Sequence, residues 1–430
     1  MTSATTKRPP LPTGVLCVLA ASAAHSLGAM AMAVALGKVV FDLTGRALDL
    51  GLLGLAEFLP TALLAPVVGS AADRFDRRRV VAAGFTLEAA VYVALAAYVG
   101  AAGSSALVWP IFALAVGFGT ARATVAPAIR ALPADLAGNQ LARVIPLSSA
   151  SWQLSMILGP AIGGMLLVVG RPWPFAVSAA GLLVGIALVS RAPDVRPMLA
   201  AARARADAER AEGDEPGPLR EALEGLAFVR RTPILLGAIS LDLFAVLFGG
   251  AVALLPAIAE TRLGVGAIGL GWLRAATGIG AGLTTLLLAW RPLDRRVGRA
   301  LLTAVAVFGG ATLVLAATRT YAVAFVALLV LSAADAVSVF IRGTLVPLVT
   351  PPVQRGRVLA TENVFIGASN ELGAFESGVA GQLVGVSGAV ALGGVATLAI
   401  VGLWWILFPA LRDVDRFGDV TAPALPTSDR

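Results

Sequence analysis

Twelve apolar stretches, each near the length that crosses a lipid bilayer, constrain the fold of this chain more than any other feature. A crossing needs about 20 mainly apolar residues. The qualifying stretches run roughly over 13–40, 49–70, 80–100, 106–130, 144–169 and 174–191, then 233–259, 267–290, 300–318, 322–346, 359–386 and 389–410. In hydrocarbon every backbone N–H and C=O must be satisfied within the segment, so stretches of this length are helices. Of 430 residues, 58% are hydrophobic and only 14% charged, against about 25% charged in a soluble domain. The sequence therefore describes an all-α membrane protein with twelve transmembrane helices in two six-helix bundles. Residues 1–191 form the N-terminal bundle, 192–231 a cytoplasmic linker, and 232–430 the C-terminal bundle with a cytoplasmic tail.

The net charge of +7 sits in short loops and not in an aromatic-interleaved groove, so nucleic acid is not an expected partner. With the N-terminus inside, the inner loops and tails hold Lys7, Arg8, Arg74, Arg77, Arg78, Arg79, Arg130, Arg143, the arginines of the linker, Arg291, Arg295, Arg296, Arg299, Arg355, Arg357, Arg412, Arg416 and Arg430. The outer loops hold only Arg46, Arg171, Arg262 and Arg319. That bias places both termini in the cytoplasm. Lys7-Arg8 followed by Leu16 to Ala24 imitates a secretory signal, but the apolar run continues to Phe41. This is too long for a cleaved segment, and the first span is expected to be retained. Cys17 is the sole cysteine and His25 the sole histidine, so neither an intrachain disulfide nor a metal site is expected. The arginine-rich, alanine-rich composition points to a bacterial chain, hence to the bacterial inner membrane.

The chain carries an internal duplication. Asp73-Arg74 to Arg79 and Asp294-Arg295 to Arg299 each lie between two apolar stretches and share an Asp-Arg core about 220 positions apart. Pro133 to Arg143-Val144, after the fourth stretch, matches Pro347 to Arg357-Val358, after the tenth, with identical internal spacing. Parallel six-span repeats with arginine loops on one side imply a two-lobed transporter.

Ionisable residues inside spans are costly unless paired or facing water, so each is a functional candidate. These are His25, Lys38, Glu57, Glu88, Arg122, Asp242, Arg274, Asp335, Arg342, Glu362, Glu371 and Glu376. The sixth, ninth and twelfth stretches have none and the third has only Glu88, so the polarity concentrates on a subset of helices and implies a shared aqueous path. Glu57, Asp242, Asp335 and Glu371 fall mid-span, where desolvation and a nearby arginine act oppositely on a carboxylate. Arg122, Arg274 and Arg342 are the available partners. A permanent ion pair that only fixes helix packing is the competing reading for any one of them. Glu362, Ser369 and Glu376 recur every seven residues on one face, with Glu371 nearly opposite Glu362. Asp335 and Arg342 share a face but stand about 10 Å apart along the axis, too far to pair directly. Gly159 and Gly163, flanking Pro160 and followed by Gly164, remove side chains from one helix face and permit close approach. For His25, a hydrogen-bonded packing role and a titrating role both stay open.

At these motifs the chain resembles the major facilitator superfamily. Gly69-x-x-x-Asp73-Arg74-x-x-Arg77-Arg78 looks like its loop 2–3 signature, with a looser copy at Asp294-Arg295 to Gly298-Arg299. Asp76 departs from the glycine usual there, which bears on the turn or adds a salt-bridge partner. Gly159-Pro160-x-x-Gly163-Gly164 resembles the fifth-helix antiporter motif of exporting members, without its upstream glycines. Arg122 falls in the fourth helix, where many proton antiporters keep an arginine. Gly367 to Gly378, which contains Asn370-Glu371 and Glu376, looks like the enterobactin-exporter branch. So do Asp242-Leu-Phe to Leu254-Leu255-Pro256 and Ile341-Arg342-Gly-Thr-Leu. The resemblance implies the major facilitator fold, a cytoplasmic gate at the first loop, peripheral helices 3, 6, 9 and 12, and alternating access.

The expected function is proton-driven export of a siderophore or hydrophobic drug, with a proton-coupled importer of a small metabolite as the alternative. The coupling or substrate-path candidates are Glu57, Arg122, Asp242, Arg274, Asp335, Arg342, Glu371 and Glu376. No Gly-x-x-x-x-Gly-Lys-Ser/Thr loop for nucleotide is present. The clustered aspartates or His/Cys constellation of a membrane-embedded enzyme are likewise missing. The expected partners are a small-molecule substrate, protons and the lipid bilayer, with the chain acting as a monomer and no cofactor.

Overall fold

The computed structural model describes residues 10–194 and 218–420, and the side chains at 65–74, 218–222 and 353 lie outside that description. Among the described residues every regular element is helical. The first six helices are α1 (Thr13–Thr44), α2 (Ala47–Arg74), α3 (Arg77–Ala102), α4 (Val108–Ala137), α5 (Leu141–Val169) and α6 (Trp173–Ser190). They are followed by α7 (Pro218–Arg231), α8 (Pro233–Phe248), α9 (Leu255–Thr261), α10 (Ala267–Trp290) and α11 (Val297–Ala317). The chain continues through α12 (Tyr321–Val349), α13 (Pro352–Leu407) and α14 (Pro409–Arg412). Among the described residues ten helical runs are long and apolar enough to cross a bilayer. Two of them, Val108–Val169 with 62 residues and Gln354–Leu407 with 54, each have the length of two crossings. The protein is thus an all-α membrane protein of twelve crossings.

The boundary between the stretches 359–386 and 389–410 falls at Gly385, where two helices, labelled together as α13, meet at a kink with φ 78° and ψ 157°. A positive φ of this kind is strained for any residue with a Cβ, so glycine lets the chain turn there. One expectation about continuity needs correction: the stretch 233–259 is not one helix. It breaks after Phe248 into a 3₁₀ turn, Gly250–Val252, before α9 begins. The cause is the Gly249-Gly250 pair. A Cβ on Gly250 would lie 2.4 Å from the Gly373 carbonyl of α13, and one on Gly249 would meet Phe308 at 2.5 Å. Only glycine lets these backbones approach so closely.

Contacts divide the chain into two compact units, residues 1–35 with 56–212, and residues 36–55 with 213–430. In the first unit Phe85, Tyr92, Phe175 and Leu182 are fully buried. There α5 lies directly on α1, since a Cβ on Gly159 would stand 2.5 Å from the Met30 Cβ, and one on Gly163 would stand 2.5 Å from the Ala31 carbonyl oxygen. In the second unit Leu235, Leu241, Leu301, Ile341 and Leu345 form one buried cluster, roofed by Trp404. The Trp404 indole N–H donates to the Gly237 carbonyl at 3.0 Å, so its polar handle is satisfied inside the core.

Of the expected linker, Ala200 to Glu215 lies outside the described residues. Its amphipathic end is α7, which packs on α13. Gly225 abuts the Arg357 backbone, Val229 is buried, and Glu224 pairs with Arg357.

Candidate functional site

Sequence spacing predicts charged residues in the spans but not which of them meet. In the second unit the meeting point is Arg342 of α12. Its Nη2 lies 2.8 Å from Asp242 Oδ1 on α8, and its Nη1 donates to Glu362 Oε1 on α13 at 3.2 Å. All three side chains are buried. Ser338, one turn before Arg342, orients the guanidinium by accepting from Nε at 3.5 Å. Asp335 makes no direct pair with Arg342, in keeping with their separation along α12, yet it is close enough for the charges of Asp242 and Arg342 to act on it. Asp242, Asp335 and Ser338 share the lining of a cavity of about 10 Å³, the lower limit of what holds a single water. Val246, Val305 and Phe308 close its apolar side.

Two carboxylates therefore contact one guanidinium, and a third, Asp335, lies near enough for its charge to be felt. Fully ionised, the group would carry a charge of 1 − 3 = −2 in a setting that solvates charge poorly. Binding two protons brings the group to neutrality, and Arg342 favours the ionised form of the carboxylate left to pair with it. A site of this composition can exchange protons while keeping its shape.

The other candidates lie elsewhere. Arg274 donates to the Val252 carbonyl at 3.0 Å, satisfying backbone freed where the seventh span breaks. Glu371 sits against α2, with Oε2 3.3 Å from where a Cβ on Gly54 would stand. Glu376 is half-buried on α13. In the first unit Glu57 belongs to the α2–α4 crossing, where Thr61 Oγ1 donates to the Gly119 carbonyl at 3.1 Å, and Arg122 is exposed. Sequence reasoning passed over the partnership of Glu362 with Arg342 and two further clusters. In one, Lys38 bridges Asp42 of its own helix and, at 2.8 Å, Glu260 of α9. In the other, Glu88 of α3 is enclosed by His25 and Tyr92. The i, i+4 spacing of Glu88 and Tyr92 was the available signal for the second.

The two arginine loops differ. Gly69, Asp73 and Arg74 lie at the end of α2, where side chains are outside the described residues. Beyond them Arg77 Nη1 meets Asp135 of α4 at 2.6 Å. Arg78 meets Asp76 at 2.8 Å and Asp194 at 3.4 Å. Asp76 also caps α3, accepting from the Arg78 backbone N–H at 3.0 Å. Burial acts to raise the Asp76 carboxyl, but the bonds from Arg78 and its charge outweigh that and hold it below the usual carboxylate range. The second loop is built otherwise. Asp294 and Arg295 are exposed and make no ion pair among the described residues. That loop is pinned through its backbone instead, the Val297 and Gly298 N–H groups donating to Asp415 and Val414.

This architecture has counterparts. The family model for the Major Facilitator Superfamily matches residues 18–341. The multidrug efflux pump Tap of Mycolicibacterium fortuitum is 27% identical over 437 residues, covering 95% of this chain and 98% of that one. A structure of the nucleoside transporter NupG superposes with a TM-score of 0.73 at 11% identity, covering 92% of this chain and all of the other. A D-xylose-proton symporter does so with a TM-score of 0.68 at 14% identity, over 92% of this chain and 98% of the other. The chain belongs to the major facilitator superfamily, a family of transporters and not of enzymes.

Proposed function

We propose that this protein is a proton-coupled carrier that moves a small molecule across the bacterial membrane by alternating access, with Asp242, Asp335, Arg342 and Glu362 as its coupling site. The observation that carries this reading is the surplus of buried carboxylates around one arginine. A proton entering from one side neutralises part of that surplus, and its release to the other side restores it. A membrane potential contributes about 2.3 kcal/mol per charge per 100 mV. At about 1.4 kcal/mol per tenfold ratio, one proton sustains a neutral-substrate gradient of roughly fifty-fold. On this reading 1–191 and 232–430 are the moving bundles, 192–231 joins them, both termini are cytoplasmic, and the chain works as a monomer.

The carboxylate cluster serves either direction. If substrate and proton occupy the site together, the carrier imports; if each displaces the other, it exports. Import of a small metabolite has its support in the likeness of fold to a D-xylose-proton symporter. Export of a hydrophobic drug or siderophore is favoured by the full-length similarity to a protein named as a multidrug efflux pump and by the close α1–α5 contact at Gly159 and Gly163. Vesicles of opposite orientation decide between the two readings. Proton-driven accumulation of a candidate substrate in right-side-out vesicles means import, and in everted vesicles export. Transport that survives a protonophore in both overturns proton coupling.

A further inference from the structure

The cluster just described leaves one fully buried carboxylate unused. Glu88 of α3 has no exposed surface, and its two oxygens have different partners. The Tyr92 hydroxyl, one turn along the same helix and itself fully buried, donates to Oε1 at 2.7 Å. His25 Nδ1 of α1 lies 3.0 Å from Oε2. The imidazole is held in place by Phe85, stacked at 5.1 Å between centroids with the rings inclined by 22°.

The 3.0 Å contact has a chemical consequence. Both atoms are enclosed and neither has another hydrogen-bond partner among the described residues. An unprotonated imidazole nitrogen and a carboxylate oxygen are both acceptors and repel at that distance, so the contact is held by a proton residing on one of the two. With that proton on Nδ1, the other ring nitrogen, Nε2, is an open acceptor. It has no hydrogen-bond partner among the described residues, and the histidine side chain keeps 14% of its surface exposed while Nδ1 is enclosed. The triad can therefore take a second proton at Nε2 from the accessible side. Doing so changes its charge from −1 to 0, as imidazolium and carboxylate balance. No covalent bond is made or broken, and the proton returns to water when Nε2 releases it.

From this geometry we infer that His25, Glu88 and Tyr92 form a second proton-binding site, located in the first unit and loaded at His25 Nε2. The inference rests on the reading of the protein as a proton-coupled carrier and adds a site that the carboxylate cluster of the second unit does not contain. The charged groups that face the triad are few. Glu57 of α2 and Arg122 of α4 are near enough for their charges to act on Tyr92. Helix α6, packed on α3, brings no ionisable side chain, and α5 brings only Arg143 at its start. On α1 itself Lys38 and Asp42 are three to five turns away. Tyr92 fixes the carboxylate, Phe85 stacks on the ring, and the imidazole is where the second proton is taken up.

Because His25 is the only histidine, ¹⁵N-imidazole labelling of the wild-type chain in lipid nanodiscs reports this site alone. The expected result is that Nε2 gains and loses a proton as pH is varied while Nδ1 keeps its own, and that Glu88→Gln moves the midpoint of that change. Imidazole signals that do not change with pH, or a midpoint unmoved by Glu88→Gln, overturn the site. A second test uses His25→Gln, which keeps a donor toward Glu88 and cannot titrate. It is expected to shift the pH profile of transport, and a wild-type profile overturns the proposal. The titration needs no substrate, so its failure removes the triad and leaves the carboxylate cluster standing. Transport insensitive to a protonophore removes proton coupling and leaves the titration intact.

Discussion

The two units each bury a polar cluster, and the clusters are built on different cations. In the second unit the cation is Arg342, permanently charged and outnumbered by Asp242, Glu362 and the neighbouring Asp335. In the first it is His25, which can gain or lose its charge beside the single carboxylate of Glu88. An arginine cannot release its proton, so charge exchange in the second unit must occur on the carboxylates, and the guanidinium sets their geometry. A histidine can, so on the inference drawn above the cation of the first unit itself carries the exchange. The two units are thus both helical while the polar clusters they bury are unlike.

Removing one partner from each cluster tests this contrast most severely. Arg342→Met leaves Asp242 and Glu362 buried without their partner, and breaking such a pair costs about 3–5 kcal/mol. Thermal unfolding in detergent should show a large loss of stability, partly recovered by adding Asp242→Asn. Full stability of the single variant would mean that the pair is not a structural unit. In the first unit Tyr92→Phe removes one hydrogen bond to a charged acceptor, a loss of about 1.5–3 kcal/mol. The same unfolding measurement should place it between Arg342→Met and wild type, and an effect as large as that of Arg342→Met would erase the distinction drawn between the clusters.

The smallest expected effect lies outside the membrane and calibrates the others. Asp76→Ala removes the cap of α3, at about 1 kcal/mol. The carboxyl of Asp76 is held below its usual range, because the bonds and charge of Arg78 outweigh burial. Its contribution is therefore complete above the unfolded value of about 3.9 and fades as pH falls through the lower folded value. Unfolding followed from neutral pH into acid should show the gap between Asp76→Ala and wild type closing below about pH 4. A gap that is constant with pH would assign the effect to helix geometry alone.

Much of this was legible in the sequence for a physical reason, and the remainder was illegible for another. Asp242, Asp335 and Arg342 stood out because charge within an apolar stretch is expensive whatever the fold. Which arginine met which carboxylate was not legible, since Asp242 and Arg342 are brought together by packing between distant helices. Glu362 was visible as one face of a polar helix, yet its bond to Arg342 depends on the α12–α13 approach. The broken seventh span had its signal in Gly249-Gly250, which is also a common packing motif and becomes a break only once α13 is seen against it. The arginine loops looked like copies because their residues match; Arg77 and Arg78 are tied to acids of their own unit, whereas the second loop is held by backbone bonds. Side-chain identity carries no record of that difference.

The proposed transport stands or falls on whether the carboxylates around Arg342 bind protons. Infrared difference spectroscopy of the protein in lipid, titrated with pH, reads protonated carboxyl groups directly through their C=O stretch. The wild type should show a titrating carboxyl band that Asp242→Asn or Asp335→Asn diminishes or shifts. A spectrum with no such band, or with a band indifferent to both substitutions, would contradict it.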